Sequence, residues 1–162
     1  MAIIDRAEFV NKFELHTKYT TDTKLSSYID RYEVNYLVEL LGVELYELFI
    51  ADIENPIYDI LLTEILFQDG CEIYNSKGIK DMLLGFIYFE FQRDGGKVET
   101  INSSVKIKSN VSDSASFGIR NLQSWYNESV ATYKAIQAYL VQNSDVYPTF
   151  KGVDTSYIMP FA

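Results

Sequence analysis

His16 is the single histidine of this 162-residue chain and Cys71 its single cysteine. A zinc site needs about four Cys, His or carboxylate ligands. A serine triad or a Cys–His dyad needs an imidazole held against its nucleophile. His16 falls in a polar, Thr-rich stretch and Cys71 in a different element, so neither arrangement can be built around them. His16 reads as a solvated loop residue. With one thiol there is no internal disulfide, which suits a reducing compartment, and Cys71 is expected to be buried and inert.

The remaining chemistry-bearing patterns also have simpler readings. Gly95-Gly96-Lys97 lacks the leading glycine and the Ser/Thr of a P-loop and reads as a helix terminator. No calcium loop of the EF-hand type appears. Glu39, Glu44 and Glu47 surround Gly42, and Asp52 and Glu54 follow. Paired carboxylates can do acid–base work or bind magnesium. Here they alternate with apolar positions, as on the wet face of an amphipathic helix, and Glu72 and Asp81 read the same way. The chain is therefore expected not to be an enzyme, with no catalytic, metal or cofactor-binding residue.

The elements that would carry these residues are helical. Asp5 and Glu8 have capping-box spacing, with Asp in place of Ser or Thr, and open a short helix to about Leu15. Leu25, Ile29, Tyr32, Tyr36 and Leu40 make the stripe of the next helix, which stops at Gly42. Val43, Tyr46, Phe49, Ile50 and Ile53 form a third face. Asn55-Pro56 is an N-cap followed by proline at N1, opening a helix through Ile57, Ile60, Leu61 and Ile65. Asp69-Gly70 is a turn, and Cys71 to Tyr74 a short extended link. Ser76 caps the next helix, which runs to Arg93. Phe86-Ile87-Tyr88-Phe89 has strand propensity, but the helical spacing of Ile79, Met82, Leu83 and Phe86 favours helix. Gly85 within it would allow another helix to approach closely.

The character of the chain changes at Gly95. Six serines fall between Lys97 and Ser116, with almost no large apolar residues. Val105, Ile107 and Val111 alternate with Lys106, Lys108 and Asn110, which is the period of a strand. Val98 to Ile101 is the candidate hairpin partner, turned at Asn102-Ser103-Ser104. An isolated hairpin is marginal in water, so an outside surface would have to order it. Lys97, Lys106, Lys108 and Arg120 outnumber Glu99 and Asp113 in this region. They either guard an edge strand against aggregation or dock the arm on an acidic neighbour. The last helix starts near Ser114 or Ser116 and ends near Asn143-Ser144. The tail beyond it has no helical period yet carries Tyr147, Phe150, Tyr157, Ile158, Met159 and Phe161, which need a surface, either this chain's own body or another subunit.

The expected fold is all-α: one domain over 1–162, a compact helical bundle. A hairpin-like arm at about 95–116 precedes the last long helix, and an extended tail covers about 146–162. The net charge is −9. That opposes wrapping of nucleic acid and binding to anionic membranes, and favours solubility. The longest apolar run, Leu83 to Phe89, is far short of the ~20 residues of a membrane span. Asp5 and Arg6 interrupt the start before an apolar leader could form, so no secretion signal is expected.

The order of these features is familiar. Leu40-Leu41-Gly42-Val43-Glu44-Leu45-Tyr46 has the form helix, Leu-Leu-Gly-x-x-Leu-Tyr, helix. It precedes a helix ending in Arg93-Asp94, a Ser-rich Val/Lys arm, and a long helix leading to Tyr147-Pro148. From about Leu25 to Pro148 the chain resembles the head–tail connector, or adaptor, proteins of tailed bacteriophages. The resemblance implies a structural virion protein of the neck, assembled in the host cytoplasm and located at the head–tail junction. It implies a homo-oligomeric ring, typically dodecameric, beneath the portal protein. Tail or further neck proteins would dock below, and DNA would pass through the channel without sequence-specific binding. It also implies two protein-contact segments, the arm (Lys97, Val98, Ile101, Val105, Lys106, Ile107, Lys108, Val111) and the aromatic tail. An acidic body suits a channel wall that repels phosphates. The alternative is a small helical protein-binding or regulatory module without catalysis.

Overall fold

The computed structural model describes residues 3–15, 23–95, 112–152, 158, 160 and 161. Its helices are α1 (Thr23–Leu41), α2 (Val43–Ala51), α3 (Pro56–Leu62), α4 (Gly78–Gly95) and α5 (Ser112–Gln142). Between α3 and α4 lies an antiparallel hairpin of β1 (Ile65–Asp69) and β2 (Glu72–Ser76). The helical character expected from the sequence is present; the small β element lies between α3 and α4, and the hairpin expected in the arm falls outside the described residues.

Local signals set most boundaries. Asp5 and Glu8 form a reciprocal capping box, but the chain beyond them makes two 3-10 turns, Arg6–Glu8 and Asn11–Phe13, rather than one helix to Leu15. Gly42 takes φ +75° between α1 and α2, a conformation that favours glycine, and its N–H still donates to the Val38 carbonyl at 2.9 Å. The Asn55 side chain accepts from the Ile57 N–H at 3.2 Å, with Pro56 at the first helical position.

α4 packs between α1 and α5. Ile79, Met82, Leu83, Phe86 and Ile87 are fully buried, and Phe89, Glu90 and Phe91 nearly so. A helix apolar on nearly all sides belongs at the centre of a fold, which is why helix wins over strand for Phe86–Phe91. From α1, Leu25, Ile29, Leu37 and Leu40 close the core on one side. From α5, Val130, Tyr133, Ile136 and Leu140 close it on the other.

Four expectations are corrected here. The helix opened by Pro56 ends at Leu62, and Ile65 lies in β1. The stretch Cys71–Tyr74 is not a link but the turn and first half of β2, with Phe67 opposite Tyr74 and Asp69 opposite Glu72. Gly70, first of the two loop residues, has φ +57°, as the primed hairpin turns require. Cys71, in that turn, is exposed rather than buried. Finally, α5 begins at Ser112, so residues 112–116 are helix and not arm. Among the described residues, no helix is long and apolar enough to cross a membrane.

Candidate interaction surfaces

The α4–α5 pair fixes where the arm is rooted. Phe89 meets Tyr126 at a centroid distance of 4.6 Å, Tyr88 meets Trp125 at 5.5 Å, and the Lys77 N–H donates to Thr132 Oγ1 at 3.4 Å. The two helices therefore run antiparallel. The C-terminus of α4 and the N-terminus of α5 share one pole, and the hairpin adjoins the other pole, where Gln142 Nε2 donates to the Gln68 carbonyl at 3.2 Å. The arm residues Lys97, Val98, Ile101, Val105, Lys106, Ile107, Lys108 and Val111 lie outside the described residues.

Half of the named tail residues are part of the core. Tyr147, Phe150 and Ile158 are buried in the chain's own body, the first of the two surfaces that the sequence left open for them. Tyr147 stacks near Tyr58 at 6.4 Å, and its hydroxyl donates to the Ile57 carbonyl at 2.5 Å. Burial first, then the neighbouring Tyr139 and Tyr58, push its phenol up to about 12. Phe161 is 41% exposed, with its ring 5.4 Å from Phe89 and 5.2 Å from Tyr126. Its backbone exchanges two hydrogen bonds with the Asn127 side chain, at 2.7 and 2.9 Å. Tyr157 and Met159 lie outside the described residues.

The hairpin presents two unlike faces. Phe67 stacks on Tyr74 at 5.2 Å and meets Tyr139 of α5 edge-on at 5.5 Å, so this face is turned to the body. The opposite face carries Leu66 and Ile73, which are 72% and 73% exposed. Leu66 pairs with Asn75 and Ile73 with Gln68, so the two apolar side chains are diagonal neighbours on the outer face. A concavity of about 430 Å³ lies between α2, α3 and the N-terminal segment. Ile3, Ile50, Ile53 and Leu62 line it, with Glu54, Asp59 and Lys80.

The carboxylates singled out from the sequence do not converge. Glu44 is exposed and pairs with Lys151 at 2.6 Å, Asp52 accepts from Asn55 Nδ2 at 3.0 Å, and Asp81 pairs with Lys12 at 3.1 Å. Among the described residues, no group of three or more His, Cys, Asp or Glu side chains could hold a metal ion.

Two carboxylates that the sequence reading passed over are the buried ones. Glu33 of α1 accepts from the Ile3 N–H at 2.9 Å and the Ile4 N–H at 3.2 Å, clamping the N-terminal segment to the bundle. Burial pushes its carboxyl up from 4.5, although the two N–H donors pull it down. Glu90 of α4 accepts from the Tyr36 hydroxyl at 3.1 Å, and Arg93 ion-pairs with its other oxygen. Burial, with Glu90 beside it, pushes the Tyr36 phenol up. Both arrangements hold elements together. Only their helical stripe positions could have flagged them, since Glu33 and Glu90 fall on apolar faces.

No protein-family model, curated protein or solved structure matches this chain.

Proposed function

We propose that the chain is a non-enzymatic structural subunit of a phage head–tail connector. In this reading it forms a ring beneath the portal, joins capsid to tail around the DNA channel, and uses the arm between α4 and α5 for contact. The observation that carries the reading is polarity. The arm is rooted at one pole of the α4–α5 pair, and an apolar hairpin face stands at the other. Two different surfaces at opposite poles suit a head-to-tail interface, the kind that closes into rings. The order of sequence features around Leu40–Tyr46 and the Ser-rich Val/Lys segment supports it. The acidic balance suits a wall along which phosphates slide.

The second reading, a small helical binding module, draws on the 430 Å³ concavity, lined by four apolar and three charged residues. Native mass measurement of the pure protein, alone and with a portal protein, separates the two. A ring on the portal supports the connector. A strict monomer that ignores the portal supports the module.

A further inference from the structure

The hairpin is unusual in what it leaves uncovered. Its outer face shows Leu66 and Ile73 almost three-quarters exposed, side by side on a two-stranded sheet. Such a sheet is marginal alone, and both strands are edges. Among the described residues, neither strand bonds to the backbone of any element but its partner strand, and the one side-chain bond from another element to a strand carbonyl is that of Gln142 to Gln68 on β1. Edges of this kind are usually guarded by lysine. From Glu64 to Ser76 there is no Lys or Arg, only Glu64, Asp69 and Glu72, all of them exposed. The hairpin therefore suits an extended segment that is apolar on one side and cationic on the other.

This chain carries a sequence of that pattern. Val105-Lys106-Ile107-Lys108 alternates with period two, and 97–111 holds Lys97, Lys106 and Lys108 against Glu99. The parity also fits. In an added strand, Val105 and Ile107 would join Leu66 and Ile73 on the outer face. Lys106 and Lys108 would then fall on the opposite face, which carries Asp69 and Glu72 at the hairpin tip.

The segment's own hairpin is badly placed for this. α4 leads away from β2 for 18 residues, about 27 Å, before the segment begins. The antiparallel α5 returns from that same far pole.

We infer that residues 105–111 of one copy add as a third strand to the β1–β2 hairpin of the next copy. This rests on the ring-forming reading above and names its interface.

Cys71 makes the contact testable, because the only thiol of the chain sits exposed in the hairpin turn. Full-length protein grown in light and heavy nitrogen isotopes is mixed, labelled at Cys71 with a photo-crosslinker, irradiated and mapped by mass spectrometry. Self-association is followed in parallel by sedimentation. The expected result is adducts between Cys71 and 103–111 that mix light and heavy chains. They are lost in K106E/K108E and return when that chain is mixed with D69K/E72K. Adducts confined to one isotope would mean an intramolecular arm and overturn the inference. So would mixed adducts that map elsewhere, or none at all. If the protein associates, alone or on a portal, without the 103–111 adduct, this interface is wrong while the ring reading stands. If it associates in neither setting, the ring reading fails as well.

Discussion

Gly85 of α4 and Ser129 of α5 meet with no room for a methyl group between them. A Cβ added to Gly85 would overlap Ser129 Oγ and lie 3.3 Å from Ser129 Cβ and 3.4 Å from the Phe13 ring. Ser129 is itself buried, and its hydroxyl donates to the Trp125 carbonyl one turn back at 3.2 Å. The glycine thus sets how closely the two long helices approach.

Gly85→Ala should therefore destabilise the protein although it improves helix propensity. The propensity gain is about 1 kcal/mol. The overpacking cost is about 1–3 kcal/mol, and more where, as here, the obstruction is a short side chain on a rigid helix. Ser129→Ala removes the overlapping oxygen, so the double variant should recover most of the loss. Urea melts of the two single variants and the double variant give the coupling. Purely additive effects would mean that the helices simply move apart.

The tail should behave as core. Tyr147 is 2% exposed and hydrogen-bonded to the Ile57 carbonyl. That carbonyl lies within α3, where the helix supplies it a second donor, so Tyr147→Phe removes one hydrogen bond without stranding the acceptor and should cost about 0.5–1.5 kcal/mol. Tyr147→Ala opens a cavity and should cost about 3–5 kcal/mol. Truncation after Ser144 also removes Phe150 and Ile158 from the core, so it should lower the thermal midpoint steeply rather than merely weaken association. A truncated chain that melts like the full one would return the tail to the surface.

Glu33 should give stability a pH slope of unusual sign. Burial, outweighing the Ile3 and Ile4 N–H groups and reinforced by Asp30, raises its carboxyl above 4.5 in the folded state. The folded chain therefore holds this proton more tightly than the unfolded one. That contribution is fully present below about 4.5 and is lost as pH rises through the folded value. Most carboxylates slope the other way, so the comparison must isolate this one. The difference in melting midpoint between the native chain and Glu33→Gln should shift against the native chain as pH is raised from 4.5 through this window. A constant difference would mean that Glu33 titrates as an ordinary carboxylate.

What the sequence made legible is what nearest neighbours decide. The Asp5–Glu8 box, the Gly42 corner and the Asn55-Pro56 start each depend on residues within one turn, and each stands where the pattern put it. The hairpin was missed because Ile65-Leu66-Phe67 extends the apolar run of α3, and its strand identity depends on Tyr139, far along the chain. Glu33 and Glu90 were missed for the same reason. Their partners are Ile3, Ile4 and Tyr36, brought near only by the fold. Composition demanded a surface for the tail aromatics but could not say whose. For Tyr147, Phe150 and Ile158 the surface is the chain's own.

Glu90 and Arg93 offer a test of how tightly α1 and α4 are fastened. Glu90 is 7% exposed and holds the Tyr36 hydroxyl on one oxygen and Arg93 on the other. Arg93→Ala strands a buried carboxylate. A fully buried pair broken in this way costs about 3–5 kcal/mol. Arg93 is half exposed, so water screens the loss, and about 1–2 kcal/mol is the reasonable scale. Adding Glu90→Gln should restore part of it, because an amide can still accept from Tyr36 without needing a counter-charge. Chemical denaturation of the three variants measures the recovery. An Arg93→Ala chain as stable as the native one would show that solvent already neutralises Glu90.

Deletion of 97–111, with a short Gly/Ser bridge from α4 to α5, should separate folding from association. The core of α1, α4 and α5 is built from residues outside that stretch, among them Leu37, Phe86 and Tyr133. Both roots lie at the same pole, so a short bridge closes a smaller loop, which costs less entropy than the native one. The variant should keep its helical circular dichroism and melt within a few degrees of the native chain, while losing association with itself and with a portal. Loss of the helical signal would assign the segment to the core. Retained association would move the contact surface elsewhere, and the exposed Leu66–Ile73 face would then be the next to mutate.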